Sequence, residues 1–175
     1  LMGGVELVPR VNGVVSLYGY GDIIGDWYST PNTFYRQEPI VSRENAYSLI
    51  SDVPLSASDI TRRPFYLYCR QHGVWPDEVT GYDLKNDAAA FDRFCPIRHV
   101  TSAYPPTLLL HGDCDTDVPY QQSVDLAAEL SRHGVEHELI TIGDGDHVFD
   151  ADMSQPQVRH AIDSVMVFLD KHLSK

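Results

Sequence analysis

Three features are scarce in this sequence, and each removes a class of function. Only three cysteines occur, at positions 69, 95 and 114. They leave at least one thiol unpaired and show no metal-type spacing, which favours a reducing, cytoplasmic setting. Basic residues are few: 13 against 25 acidic ones, giving a net charge of −12. That balance repels nucleic-acid phosphates and anionic membrane, so neither is expected as a partner. No apolar run reaches the length of a transmembrane helix, and the first residues do not form a basic-then-apolar leader. The chain starts with Leu1 rather than Met, which fits an internal fragment and, equally, a vector remnant or a processed start.

What is present suits one compact globular fold: 175 residues, 43% of them hydrophobic, suffice for a core of ordinary size. The clearest local signal runs from Pro106 to Leu110, an apolar stretch with prolines before it and Gly112 and an aspartate cluster after it. Those boundaries predict a central parallel strand. Val124, Ala127, Ala128 and Leu130 then form a helical stripe between Tyr120 and His133 that closes at Gly134. Glu138 to Ile142 supplies another strand, and Ser154-Gln-Pro-Gln opens a helix with a capping-box pattern. The apolar face of that helix is Val158, Ala161, Ile162, Val165, Leu169 and Leu173. Strand, helix, strand, helix is a right-handed parallel unit.

In open parallel sheets, ligands bind beyond the carboxyl ends of the strands, where Asp115 and His147 both fall. Adjacent strands lie about 4.8 Å apart, so loops 32 residues apart in sequence can bring a carboxylate against an imidazole. A carboxylate so placed orients and polarises a general base. Asp113 and Asp117 are alternative acids if Asp115 points away. The alternating aspartates 113, 115 and 117 imitate a calcium loop, but Val118 and Val124 stand where its glycine and glutamate belong, so no metal is expected.

His111-Gly-x-x-Asp115-x-x-Val118-Pro119 and Gly143-x-x-x-His147-x-Phe149 resemble the acid and histidine loops of the α/β-hydrolase family, in particular its prolyl-oligopeptidase-like and dienelactone-hydrolase-like members. The resemblance implies that Asp115 is the triad acid and His147 the base, with a serine upstream of both in a G-x-S-x-G elbow. No such elbow occurs in the chain. Ser16, inside the predicted strand Asn12 to Tyr18, lacks flanking glycines and reads as core packing. Leu1 to Arg10 resembles the end of the elbow helix and its loop. The expected fold class is therefore α/β, a partial α/β-hydrolase of about three parallel strands flanked by helices. Residues 1–19 and 101–175 form the C-terminal half of the core, and 20–100 a helical cap insertion.

Within the insert, helices are predicted over Arg43 to Ile50 after Ser42, Ile60 to His72 after Ser58 and Asp59, and Pro76 to Val79. In the family such an insert roofs the active site, which makes Trp27, Tyr28 and Tyr35 candidates for substrate contact. The plainer reading is that these rings fill the core of a small cap. Gly19-Tyr-Gly-Asp-Ile-Ile-Gly25 resembles a dinucleotide loop but leads into turn-like residues, so no cofactor is expected. Cys114 reads as an idle thiol, and His111 as a strand-end residue bonded to backbone. The resemblance implies serine hydrolysis of a small ester or peptide substrate, with the parent protein active and this chain alone inactive. The alternative is a catalytically inactive module that self-associates or binds a small ligand. A strand carrying Val14, Val15, Leu17 and Tyr18 at a cut edge predicts a homo-oligomer, or a missing N-terminal half that covers residues 12–18.

Overall fold

A computed structural model describes residues 11–51 and 62–173, and the chain divides into two units. One comprises the chain up to Asp22 and from Asp92 onward, and the other is Ile23–Phe91. The readings made for Leu1 to Arg10 and for Ser58 and Asp59 lie outside the described residues.

In the first unit the described residues form one parallel sheet of three strands, β1 (Val14–Leu17), β2 (Thr107–Gly112) and β3 (His137–Ile142), in the order β1-β2-β3. Leu109 stands opposite Ser16 on one side and Leu139 on the other. The unbroken apolar run of β2 follows from its position, because all six residues are buried. Leu109 packs with Val100, Tyr104, Leu126, Leu130 and Val135 on one face. Leu108 and Leu110 pack with Ile142, Phe149, Val158 and Ala161 on the other. Each leucine, valine, isoleucine or phenylalanine among them contributes about 1.5–3 kcal/mol on burial. β1, by contrast, is half-buried along its length.

The second unit holds α1 (Asp26–Ser29), α2 (Arg43–Tyr47), α3 (Arg63–His72) and α4 (Trp75–Thr80). Ser42 caps α2 by accepting a hydrogen bond from the Asn45 N–H at 3.2 Å. The helix ends at Tyr47, three residues short of the predicted Ile50. Pro64 sits in the first turn of α3, where its missing N–H costs nothing. Gly73 ends that helix at φ 67°, and a Cβ there would meet the backbone of Thr30 within 2.5 Å. The small core of this unit is Ala46, Tyr68 and Cys69 with Phe65 and Trp75 against them.

The sheet is flanked by α5 (Gln121–Arg132) and α6 (Pro156–Leu173), which lie in sequence order around β3. The predicted cap of α6 at Ser154 is corrected by one residue. Asp152 takes the Ser154 hydroxyl at 2.6 Å and its N–H at 3.0 Å, so Ser154 belongs to an aspartate turn instead of a cap. Gln157 donates to Gly143 O at 2.9 Å and does not reach back to close a capping box. Pro156, with φ preset for a first helical residue, begins the helix. Among the described residues no helix is long and apolar enough to cross a membrane.

Candidate active site

Because β2 and β3 run parallel and in register up to Gly112 and Ile142, the loops that follow them leave from the same rim of the sheet. They approach closely at Gly112, where a Cβ would stand 2.2 Å from Gly145 O. Glycine is required there by proximity. Three further ties join the loops: Cys114 N–H donates to Gly145 O at 2.9 Å, Asp144 N–H to Asp113 Oδ1 at 2.8 Å, and Thr116 N–H to Asp146 Oδ1 at 2.9 Å.

On this platform Asp115 and His147 meet. His147 Nδ1 lies 2.8 Å from Asp115 Oδ2, with the carboxylate fully buried and the imidazole about a quarter exposed. The other carboxylate oxygen accepts the N–H groups of Asp117 and Val118, both at 2.8 Å. Of the alternative acids, Asp113 is engaged by Asp144 N–H, and Asp117 Oδ2 lies 3.5 Å from the opposite imidazole nitrogen, Nε2. The three aspartates therefore take separate roles.

The electrostatics follow from this geometry. Burial pushes the Asp115 carboxyl up, but hydrogen bonds from His111, His147 and the Val118 and Asp117 amides outweigh it and hold the group well below the usual carboxylate range. The Asp115 hydrogen bond raises His147 above its ordinary 6.5, against the opposing effect of burial, and Asp117 and Asp146 add to the rise. An acid kept ionised beside a histidine whose charged form is stabilised is the electrical arrangement a general base needs.

Two contacts were not legible beforehand. The Tyr18 ring lies 4.4 Å from the His147 ring, and its hydroxyl donates to Asp150 Oδ1 at 3.0 Å. Tyr18, Asp144 and Val148 are, among the described residues, the non-glycine positions with left-handed backbone, at φ 40°, 55° and 61°. All three lie in the strand-end segments around His147. Such strained positions concentrate at functional sites. The sequence signal for Tyr18 was an aromatic at a strand's carboxyl end directly before a glycine. His111 also does more than bond to backbone. Besides Val118 O at 2.9 Å, it reaches Ser123 Oγ at 2.7 Å and Asp115 Oδ2 at 3.2 Å.

The remaining candidates have local explanations. Ser16 sits within β1 opposite Leu109, with its hydroxyl against Gly19. In the Gly19 to Gly25 stretch, the N–H groups of Gly21 and Asp22 both donate to Gln122 Oε1, at 3.2 and 2.9 Å, which occupies amides a phosphate would need. Trp27 stacks on Tyr28 at 3.6 Å, and Tyr28 and Tyr35 flank the buried Arg70 guanidinium at 4.4 and 4.7 Å. Cys114 is exposed, with its thiol pushed up by desolvation and by Asp113.

Residues 60–175, well over half of the chain, match the prolyl oligopeptidase family. The chain belongs to that family. Its fold is that of the α/β-hydrolases. Among curated proteins, acylamino-acid-releasing enzyme 1 of Oryza sativa subsp. japonica is 30% identical over 107 residues, 56% of this chain and 13% of that protein. A non-reducing polyketide synthase of Penicillium brasilianum is 32% identical over 68 residues, 38% of this chain and 3% of that protein. Among solved structures, a protein of unknown function from Staphylococcus aureus subsp. aureus Mu50 superposes with a TM-score of 0.71 at 20% identity, over 93% of this chain and 57% of its own. A sugar hydrolase from Lactococcus lactis gives 0.59 at 18% identity, over 98% and 52%. At these identities the structures establish the fold alone. This prolyl oligopeptidase family chain spans about half the length of those two solved chains and a small part of the two curated proteins.

Proposed function

We propose that the chain supplies the acid and the general base of a serine hydrolase acting on carboxylic esters or peptides, with the nucleophile contributed by a part of the protein outside these residues. The observation that carries this reading is the 2.8 Å contact between His147 Nδ1 and Asp115 Oδ2 on adjacent strand-end loops. Membership in the prolyl oligopeptidase family supports it, as does the name of the Oryza sativa relative, acylamino-acid-releasing enzyme 1.

In the proposed reaction, His147 Nε2 takes the proton of the serine hydroxyl as the oxygen bonds to the substrate carbonyl carbon. The tetrahedral intermediate collapses when His147 returns that proton to the leaving alcohol or amine. Water then repeats the sequence on the acyl-enzyme and releases the acid. Asp115 stays ionised throughout and stabilises the transient imidazolium. Two features of the site fit this cycle. Asp115 is held as a carboxylate by four donors, and Nδ1 faces that carboxylate, which makes Nε2, with Asp117 Oδ2 3.5 Å away, the nitrogen for the serine. In the same proposal, the half-buried strand β1 is the edge to which the nucleophile-bearing part of the sheet adds.

Fluorophosphonate labelling of the complete protein tests the reading, since the probe reacts with serines activated by a base. Labelling that disappears in His147→Ala is expected. Equal labelling of the variant and the parent, or none in either, would sink it. A complete protein that fails to label while the chain forms stable dimers would point instead to the self-associating module.

A further inference from the structure

We infer that His111 and Ser123 are positioning residues that hold the Asp115 carboxylate toward His147, an inference that rests on the triad reading above. His111 and Ser123 are almost completely buried, at 0% and 1% exposure. A polar ring in that position contributes less to packing than a leucine would, so its hydrogen bonds must account for it.

Those bonds define a direction. Nε2 of His111 faces two oxygens, Val118 O at 2.9 Å and Asp115 Oδ2 at 3.2 Å, and both can only accept. Nε2 therefore carries a hydrogen and donates it. Nδ1 faces the Ser123 hydroxyl at 2.7 Å, and in the neutral ring it accepts from that group. The polarity thus runs from Ser123 on α5, through His111 on β2, to the carboxylate. Tyr120 closes edge-on against the ring at 5.8 Å and 90°, which limits its rotation.

The consequence lies at Asp115. Its Oδ1 accepts two backbone amides, and its Oδ2 accepts one imidazole from each side, His111 and His147. With four donors around it the carboxylate has one preferred orientation. The Val118 peptide strengthens the lock, since its N–H binds Oδ1 while its carbonyl receives His111. Without His111, Oδ2 is anchored by His147 alone, so the carboxylate can turn out of the line that orients the base.

The deciding measurement is the pH titration of the His147 imidazole by nitrogen-15 NMR in the chain itself, which needs no nucleophile. The groups facing His147 are Asp115, Asp117, Asp146 and Tyr18, and none is altered in the variants. His111→Leu is expected to lower the proton affinity of His147 by about tenfold, toward its ordinary value, because the aligned carboxylate is what raises it. His111→Gln, which keeps a donor near the Nε2 position, should restore most of the shift. Ser123→Ala, which leaves the ring in place but loosens it, should move the titration the same way by a smaller factor. A residue that only anchors the loop would give no rescue by Gln. A folded His111→Leu chain whose His147 titrates unchanged or higher overturns the inference. If that variant does not fold, Ser123→Ala decides: a lowered titration supports positioning and an unchanged one overturns it. Failure of serine labelling in the complete protein would instead remove the hydrolase reading and leave this result standing.

Discussion

Replacing Gly112 by alanine is the sharpest test of how the two site loops are joined. The new Cβ would lie 2.2 Å from Gly145 O and 2.5 Å from Gly145 C, both backbone atoms that cannot rotate away. To reach ordinary contact the loops must part by about 1 Å, a displacement of the size that overpacking forces elsewhere at a cost of about 1–3 kcal/mol. The same displacement falls on the 2.9 Å bond from Cys114 N–H to Gly145 O and on the 2.8 Å contact of His147 with Asp115. Lengthened by about 1 Å, neither remains a hydrogen bond. At about 2 kcal/mol the melting temperature of a chain this size should fall by roughly 4–8 °C. Thermal unfolding followed by circular dichroism reads that loss, and NMR reads the accompanying fall of the His147 titration toward its ordinary value. Gly112→Ala with parental melting and a parental His147 titration would refute the argument that close approach, and not chance, sets this residue.

Other outcomes follow from the same geometry. If the proposed triad holds, Asp115→Asn in the complete protein should lower kcat by about 10³ to 10⁴ with the fold retained, measured on an ester substrate; near-parental turnover would remove Asp115 from the proposed triad. On the proposed mechanism the acid limb of the kcat/KM profile should lie above pH 6.5, because a base at His147 must lose its proton to act and Asp115 raises the pH at which it does so. For stability the signs are opposite for the two partners. The depressed Asp115 contributes above the unfolded carboxyl value of about 4 and loses that contribution as pH falls through its folded value, whereas the raised His147 contributes fully below about 6.5 and loses it as pH rises through its own. Urea midpoints across pH should therefore show the pair's contribution greatest between those limits. Leu109→Ala, in a position with no exposure, should destabilise by about 2–5 kcal/mol in urea unfolding. Ser42→Ala should cost only about 1 kcal/mol, the worth of an exposed cap.

The parts of this fold that could be read from sequence were those fixed by strong local chemistry. Pro105 and Pro106 precede β2 and Gly112 ends it, and its three leucines are buried on both faces as the unbroken run implied. The contact between Asp115 and His147 was legible for the same reason, since successive parallel strands leave little freedom over where their loops meet. Other features depended on competition between side chains. Ser154 has the residue pattern of a helix cap, but Asp152 claims its hydroxyl, and no propensity ranks those two outcomes. His111 was assigned its backbone bond correctly, yet its reach to Asp115 and Ser123 needed the turn and α5 in place around it. Tyr18 was hidden because its left-handed backbone is imposed by the surrounding fold, and bulky residues carry no local preference for it. Trp27, Tyr28 and Tyr35 read in the sequence as substrate contacts or as aromatic filling, and nothing in the residue pattern points to the Arg70 charge that Tyr28 and Tyr35 flank, because long cations are seldom buried.

β2 is covered over all six of its residues, whereas β3 is only partly sheltered along most of its length. Local opening begins where little is packed, so deuterium should enter β3 amides well before those of β2. The carboxylate is thus carried by the stiffest segment of the sheet and the imidazole by a softer one. Thermal disturbance will reach the pair from the histidine's side, and substitutions that tighten the outer flank of β3 are the ones that should steady the geometry on which the proposed proton transfer depends.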